Sequence, residues 1–159
     1  MRSSTRTHHM LLLALRLAVA PAAAITGSMP SFAVDNMNSQ DAPDLTAVRA
    51  RIKAADYKGA FAELKVLAET NQHADVYNLM GFSSRKMGDY PTALTYYKKA
   101  LDFNADHKGA REYLGELYVE MGDLPKAREQ LAVLTRLCPQ GCEEREDLEK
   151  ALAKSAKVN

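Results

Sequence analysis

The sequence predicts an all-α protein of short helices joined in pairs by tight turns. Three observations predict it. Ala and Leu are frequent, β-branched residues are sparse, and no segment alternates like a strand. Apolar residues recur at spacings of three and four in a succession of short blocks. One phrase also occurs twice: RKMGDYPTALTYYKKAL at 85–101 is echoed by EMGDLPKAREQLAVL, with Gly122 standing where Gly88 stood in the first copy.

The N-terminus comes first in chain order. MRSSTRTHHM is basic and polar, LLLALRLAVAPAAAI is apolar apart from Arg16, and SMPSFA closes on small residues. This is the pattern of an export signal over residues 1–33, with cleavage after Ala33. The Ala22–Ala24 run is a second choice for cleavage, and Met10 an alternative start. An uncleaved anchor fits less well, because the run is short and contains Arg16 and Pro21. No cysteine stands near the cleavage point, which argues against a lipoprotein. The expectation is an exported, periplasmic protein without a stable membrane anchor after cleavage.

Charge agrees with a protein partner better than a polyanion. The chain has 47% hydrophobic and 26% charged residues and a net charge of +1. Removing residues 1–33 removes Arg2, Arg6 and Arg16 and no acid, leaving 18 basic against 20 acidic residues. A near-neutral body without a basic face argues against nucleic-acid binding.

The body begins with a flexible lead-in, VDNMNSQDAP (34–43). Asp44 is the capping candidate for a first helix carrying Leu45, Val48 and Ile52. After the break at AADYKG, Ala60, Leu64, Leu67 and Ala68 form a second apolar face. Further helices are predicted over 75–87, 90–103, 109–121, 125–137 and 143–154, which makes seven. Gly88 and Gly122 suit the left-handed position that ends a helix. Asp89 and Asp123 cap the following helix, and Pro91 and Pro125 fall in its first turn, where a missing N–H is harmless. Gly81 and Gly115, with Ala93 and Ala127, allow the two helices of one unit to approach closely. In the Tyr96-Tyr97 pair, Tyr97 is assigned to the core and Tyr96 to a partly exposed position.

Aligned at this period, residues 74–107 and 108–139 match at Met80/Leu114, Gly81/Gly115, Gly88/Gly122, Asp89/Asp123, Pro91/Pro125, Ala93/Ala127, Tyr97/Leu131 and Ala100/Leu134. A weaker copy precedes them, with Asp56, Tyr57, Ala60, Leu64 and Leu67. The pattern resembles the tetratricopeptide repeat, a helix–turn–helix unit of about 34 residues. Departures are Ser84 and Arg111 where the family has aromatics, Leu134 where it has Ala, and Val48 where it has Gly. The resemblance implies a right-handed superhelix of about three repeats (44–73, 74–107, 108–139). A C-terminal capping helix follows at 140–155. Leu148, Ala151 and Leu152 form its single apolar stripe.

Cys138 and Cys142 stand in LCPQGC between the last repeat and the capping helix. A structural disulfide fits an exported protein, and a short loop stabilises by about 2 kcal/mol at most. A metal site needs more ligands than His8, His9, His73 and His107 are spaced to supply. A redox pair would sit in a C-x-x-C motif of a βαβ setting.

No nucleophile–base pattern, phosphate-binding glycine loop or metal-spaced cluster is found, so no enzyme activity, cofactor, metal or small-molecule substrate is expected. The resemblance implies a scaffold that binds a protein or peptide on its concave surface. It places Asp75, Asn78, Leu79, Phe82, Arg85 and Lys86 of the second repeat on that surface, and Gly109, Glu112, Tyr113, Glu116, Val119 and Glu120 of the third. Family members that bind chaperone tails use a Lys/Asn/Arg clamp for a terminal carboxylate. Leu79, Glu112 and Glu116 stand in its place, which argues against that clamp here. Glu112, Glu116 and Glu120, spaced by four, form an acidic stripe suited to a basic partner segment, with Phe82 and Tyr113 as apolar anchors. The bland alternative is a solvated helix face. Two alternative functions stay open: thiol–disulfide exchange through Cys138 and Cys142, and homo-oligomerisation through the N-terminal repeat.

Overall fold

The computed structural model describes residues 42–156. The expected export signal and nearly all of the lead-in lie outside the described residues. Among the described residues there are seven helices and no strand: α1 Thr46–Lys53, α2 Tyr57–Thr70, α3 Ala74–Lys86, α4 Tyr90–Phe103, α5 Lys108–Glu120, α6 Leu124–Leu137 and α7 Glu143–Ser155. Each helix packs on its chain neighbour, and α3 touches α5 as α5 touches α7. The odd-numbered helices therefore stand side by side, with the even-numbered ones behind them.

Three hinges share one construction. The N–H groups of Asp56, Asp89 and Asp123 donate to the carbonyls of Arg51, Ser84 and Tyr118 at 2.9, 2.9 and 2.8 Å. That bond closes a helix through a left-handed residue, supplied by Ala55 (φ 59°), Gly88 (φ 80°) and Gly122 (φ 78°). Each aspartate carboxylate then accepts the N–H of Gly59, Thr92 or Lys126 and so starts the next helix. Asp44 acts one position earlier than expected. Leu45 is the capping residue of α1, and the Asp44 carboxylate accepts the Thr46 N–H at 2.9 Å.

The core follows the array in two linked clusters. Val48, Ala60, Leu64, Val76, Tyr77 and Met80 fill the first; Ala93, Tyr97, Leu114, Leu117, Tyr118 and Ala127 fill the second. Leu101 packs against both. Tyr97 is fully buried and Tyr96 half-buried, as expected. A β-carbon on Gly81 would lie 2.6 Å from the Tyr97 ring, so the glycine admits that ring from α4 of its own pair. Gly115 differs from expectation. A β-carbon there would meet Leu148 of α7 at 2.5 Å, so this glycine seats the final helix and not its own partner α6.

Cys138 closes α6 and Cys142, in an extended backbone, opens α7. Their sulfurs are bonded at 2.05 Å and their Cα atoms stand 6.0 Å apart, with Gly141 turning between them at φ 102°. The link thus fastens the end of one helix to the start of the next.

The first hinge carries a side chain where the other two carry none. Ala55→Gly should raise stability by about 1 kcal/mol, and Gly88→Ala should lower it by a similar amount. Urea unfolding monitored by circular dichroism reads both, and equal signs would contradict the left-handed assignment.

Candidate functional site

One face of the array is lined by α1, α3, α5 and α7, and three depressions run along it. An apolar groove of about 250 Å³ lies between Ile52, Leu79, Phe82 and Tyr113, with Arg49 and Lys53 at its rim. Beside it an acidic cavity of about 330 Å³ is walled by Asp75, Asn78, Glu112, Glu143, Glu144 and Asp147. Arg49, Leu79 and Tyr113 border both. A third depression of about 510 Å³ runs between Arg85, Lys86, Glu116 and Glu120 on one side and Ala151 and Lys154 of α7 on the other.

The two copies of the repeat meet at Arg85. Its guanidinium bonds Glu116 at 2.6 Å and Glu120 at 3.3 Å, with the arginine side chain only 3% exposed. It also lies over the rings of Phe82 and Tyr113, 5.8 and 5.6 Å from their centroids. Those rings pack on each other at 5.0 Å, and the Lys86 ammonium stands 5.2 Å from the Phe82 ring. The acidic stripe is therefore not a free row of three charges. Glu116 and Glu120 share one guanidinium from the helix alongside, because α3 and α5 are close enough for a long side chain to span them. Nor is the stripe a solvated face, since Glu112 is buried.

Glu112 stands apart. It is 8% exposed and has no hydrogen bond or ion pair among the described residues. Burial, then the charges of Glu116, Asp147 and Glu144, push its carboxyl up to about 8, and Arg85 offsets them only in part. Asn78 is buried as well, and its side-chain oxygen finds no partner among the described residues.

Asp75 is fixed by a contact that the sequence reading missed. His107 accepts the Ala110 N–H through Nδ1 at 3.1 Å, and its Nε2 meets the Asp75 carboxylate at 2.9 Å. His73 caps α3 in the same way, accepting the Asp75 N–H. The signal was present, since each histidine directly precedes an odd-numbered helix one period from the other. Arg49, Ile52, Glu143, Glu144 and Asp147 were also missed. They belong to the first and last helices, which a frame built on the two clear copies did not reach.

Among the described residues no group of His, Cys, Asp or Glu is arranged to hold a metal ion, and no helix is long and apolar enough to cross a membrane.

Comparison with known proteins agrees with this architecture. A family model described as tetratricopeptide repeat matches residues 84–152, a span that runs from the end of α3 into α7. No curated protein matches the chain by sequence. Similar solved structures include the second TPR domain of the human RPAP3 protein in complex with the HSP70 peptide SGPTIEEVD. It is 16% identical with a TM-score of 0.60, over 69% of this chain and 89% of that one. The Yersinia enterocolitica type III secretion chaperone SycD, in complex with a peptide of the translocator YopD, is 15% identical. Its TM-score is 0.60, over 70% of this chain and 86% of that one. PcrH in complex with the chaperone-binding region of PopD is 17% identical with a TM-score of 0.59, over 70% and 85%. At such identities the likeness concerns the fold.

Two outcomes follow from the charges. The folded carboxyl of Glu112, at about 8, lies above its ordinary 4.5. The stability it contributes is therefore complete below about pH 4.5 and is lost as pH rises through about 8. Glu112→Gln should gain on the parent between about pH 5 and about pH 9, read from denaturation midpoints; a constant offset would contradict it. Arg85→Ala leaves two carboxylates without their counter-ion and should cost about 3 kcal/mol in urea unfolding. By its period, its hinges and its helix order, the helical body of this chain has the tetratricopeptide-repeat fold, and residues 84–152 match that family's model.

Proposed function

We propose that the chain is a non-enzymatic scaffold or adaptor that binds a protein or peptide segment on the face of α1, α3, α5 and α7. The observation that carries this reading is the row of depressions on that face. An apolar groove adjoins a polar cavity, as an extended segment with alternating side-chain character requires. The fold neighbours RPAP3, SycD and PcrH, each solved with a bound peptide or binding region, support the same use of the fold. The segment 1–33 supports export to the periplasm, where the Cys138–Cys142 link would act as a structural staple between α6 and α7.

The test is selection from an unbiased peptide library displayed on phage, with the full chain as bait. Selected peptides should lose at least about tenfold in affinity for Phe82→Ala, whose circular dichroism melt stays near that of the parent. The acidic peptide SGPTIEEVD should not bind. If no peptide is selected, the scaffold reading fails; if Phe82→Ala binds as well as the parent, this face is the wrong one.

A further inference from the structure

We propose that this face carries a composite docking site for a partner segment in which an apolar side chain stands next to a lysine or arginine. The apolar side chain takes the groove of Ile52, Leu79, Phe82 and Tyr113. The cationic group takes the adjoining cavity of Asn78, Glu112, Glu144 and Asp147. The inference rests on the scaffold reading and names the chemistry of its partner.

Four observations carry it. The cavity is walled by five carboxylates, of Asp75, Glu112, Glu143, Glu144 and Asp147, against Arg49 and His107. Asp75 is engaged by His107, and Asp147 pairs at the surface with Lys150. Glu112, Glu143 and Glu144 have no ion pair among the described residues. The dipole of α7 accounts for acids in that helix's first turn. It does not account for Glu112, which sits in the second turn of α5, nine-tenths buried and without a counter-ion. A buried acid is ordinarily paired, and this one, which burial and its acidic neighbours keep protonated near neutral pH, borders the cavity with no partner to take that proton's place. Asn78, 6% exposed on the same cavity, supplies a side-chain oxygen that lacks a donor among the described residues. A guanidinium or ammonium brings N–H donors for Glu112, and a turn of the Asn78 amide, whose nitrogen lies nearest Gly109, would offer its oxygen as a second acceptor. A metal ion is a poorer occupant, because no three ligands are placed around one point among the described residues. Finally, Arg49, Leu79 and Tyr113 border both depressions, so neighbouring residues of one segment reach both.

The experiment titrates the full chain, labelled with ¹⁵N, with blocked hexapeptides of sequence Gly-Ser-Leu-Arg-Ser-Gly, the same with Gln for Arg, and the same with Ser for Leu. The Leu-Arg peptide should bind about tenfold more tightly than either control and shift the amides of both Leu79 and Gly109. Glu112→Gln, and separately the half-buried Glu144→Gln, should lower its affinity toward that of the Gln peptide. Equal affinity for the Arg and Gln peptides would overturn the proposal, as would undiminished binding by both variants. Spermidine bound as tightly as the Leu-Arg peptide would assign the cavity to a small cation and also overturn it. Failure here with library peptides still selected at Phe82 would remove the cation site and leave the scaffold standing. Failure of both would remove the scaffold as well.

Discussion

At Gly88 and Gly122 the backbone passes through φ values of 80° and 78° and reverses the chain between paired helices. The aspartate that follows satisfies an N–H of the new helix, and proline occupies its first turn. This turn sets the antiparallel pairing, and the pairing sets which face each helix shows its neighbours. All that lies on the face of α1, α3, α5 and α7 depends on that reversal. Without it, Tyr97 would not reach the gap over Gly81, nor would Arg85 reach Glu116. At the first hinge Ala55 adopts the same conformation with a side chain in place. Ordinary sterics penalise that, yet the flanking hydrogen bond has the same length as at the glycine hinge of Gly88.

The charges on the face of the odd-numbered helices divide into two groups. Arg85, Glu116 and Glu120 answer one another across the boundary between copies and hold α3 against α5. A partner would have to break that arrangement to use them, at a cost in desolvation. Glu112, Glu144 and Asp147 converge from α5 and α7, and Arg85, the cation that offsets Glu112 in part, is committed elsewhere. Burial, then the charges of Glu116, Asp147 and Glu144, raise the affinity of Glu112 for a proton, and the same charges would favour a cation supplied from outside. This is why the cavity next to α7 is set apart from the more neutral depression beside Lys86 and Lys154.

Much of the fold was legible because its determinants are local. Seven helices, their hinges, the capping aspartates and the burial of Tyr97 follow from residues within a few positions of one another. The site was legible only in part. The repeat frame brings Phe82, Tyr113, Asn78 and Glu112 to one face, where the structure also has them. The commitment of Arg85 to Glu116 and Glu120 was not visible, since the partners stand on separate helices with α4 between them in the chain. Nothing local distinguishes a free arginine from a bound one. Gly115 was assigned to α6 by analogy with Gly81, but it seats Leu148, because the last helix fills the space that a further repeat would occupy.

A fixed repeat period, small residues at close contacts, and turn-formers at constant offsets are one-dimensional facts, and they were enough for fold class and helix order. Helix formation and capping act over one or two turns, so the chain carries that information in plain view. Which carboxylates are quenched, which stands buried without a counter-ion, and which helix contributes the acid wall depend on gaps of a few ångströms between helices distant in sequence. Electrostatic energy varies with those gaps and with burial, and both come into being only when the array closes.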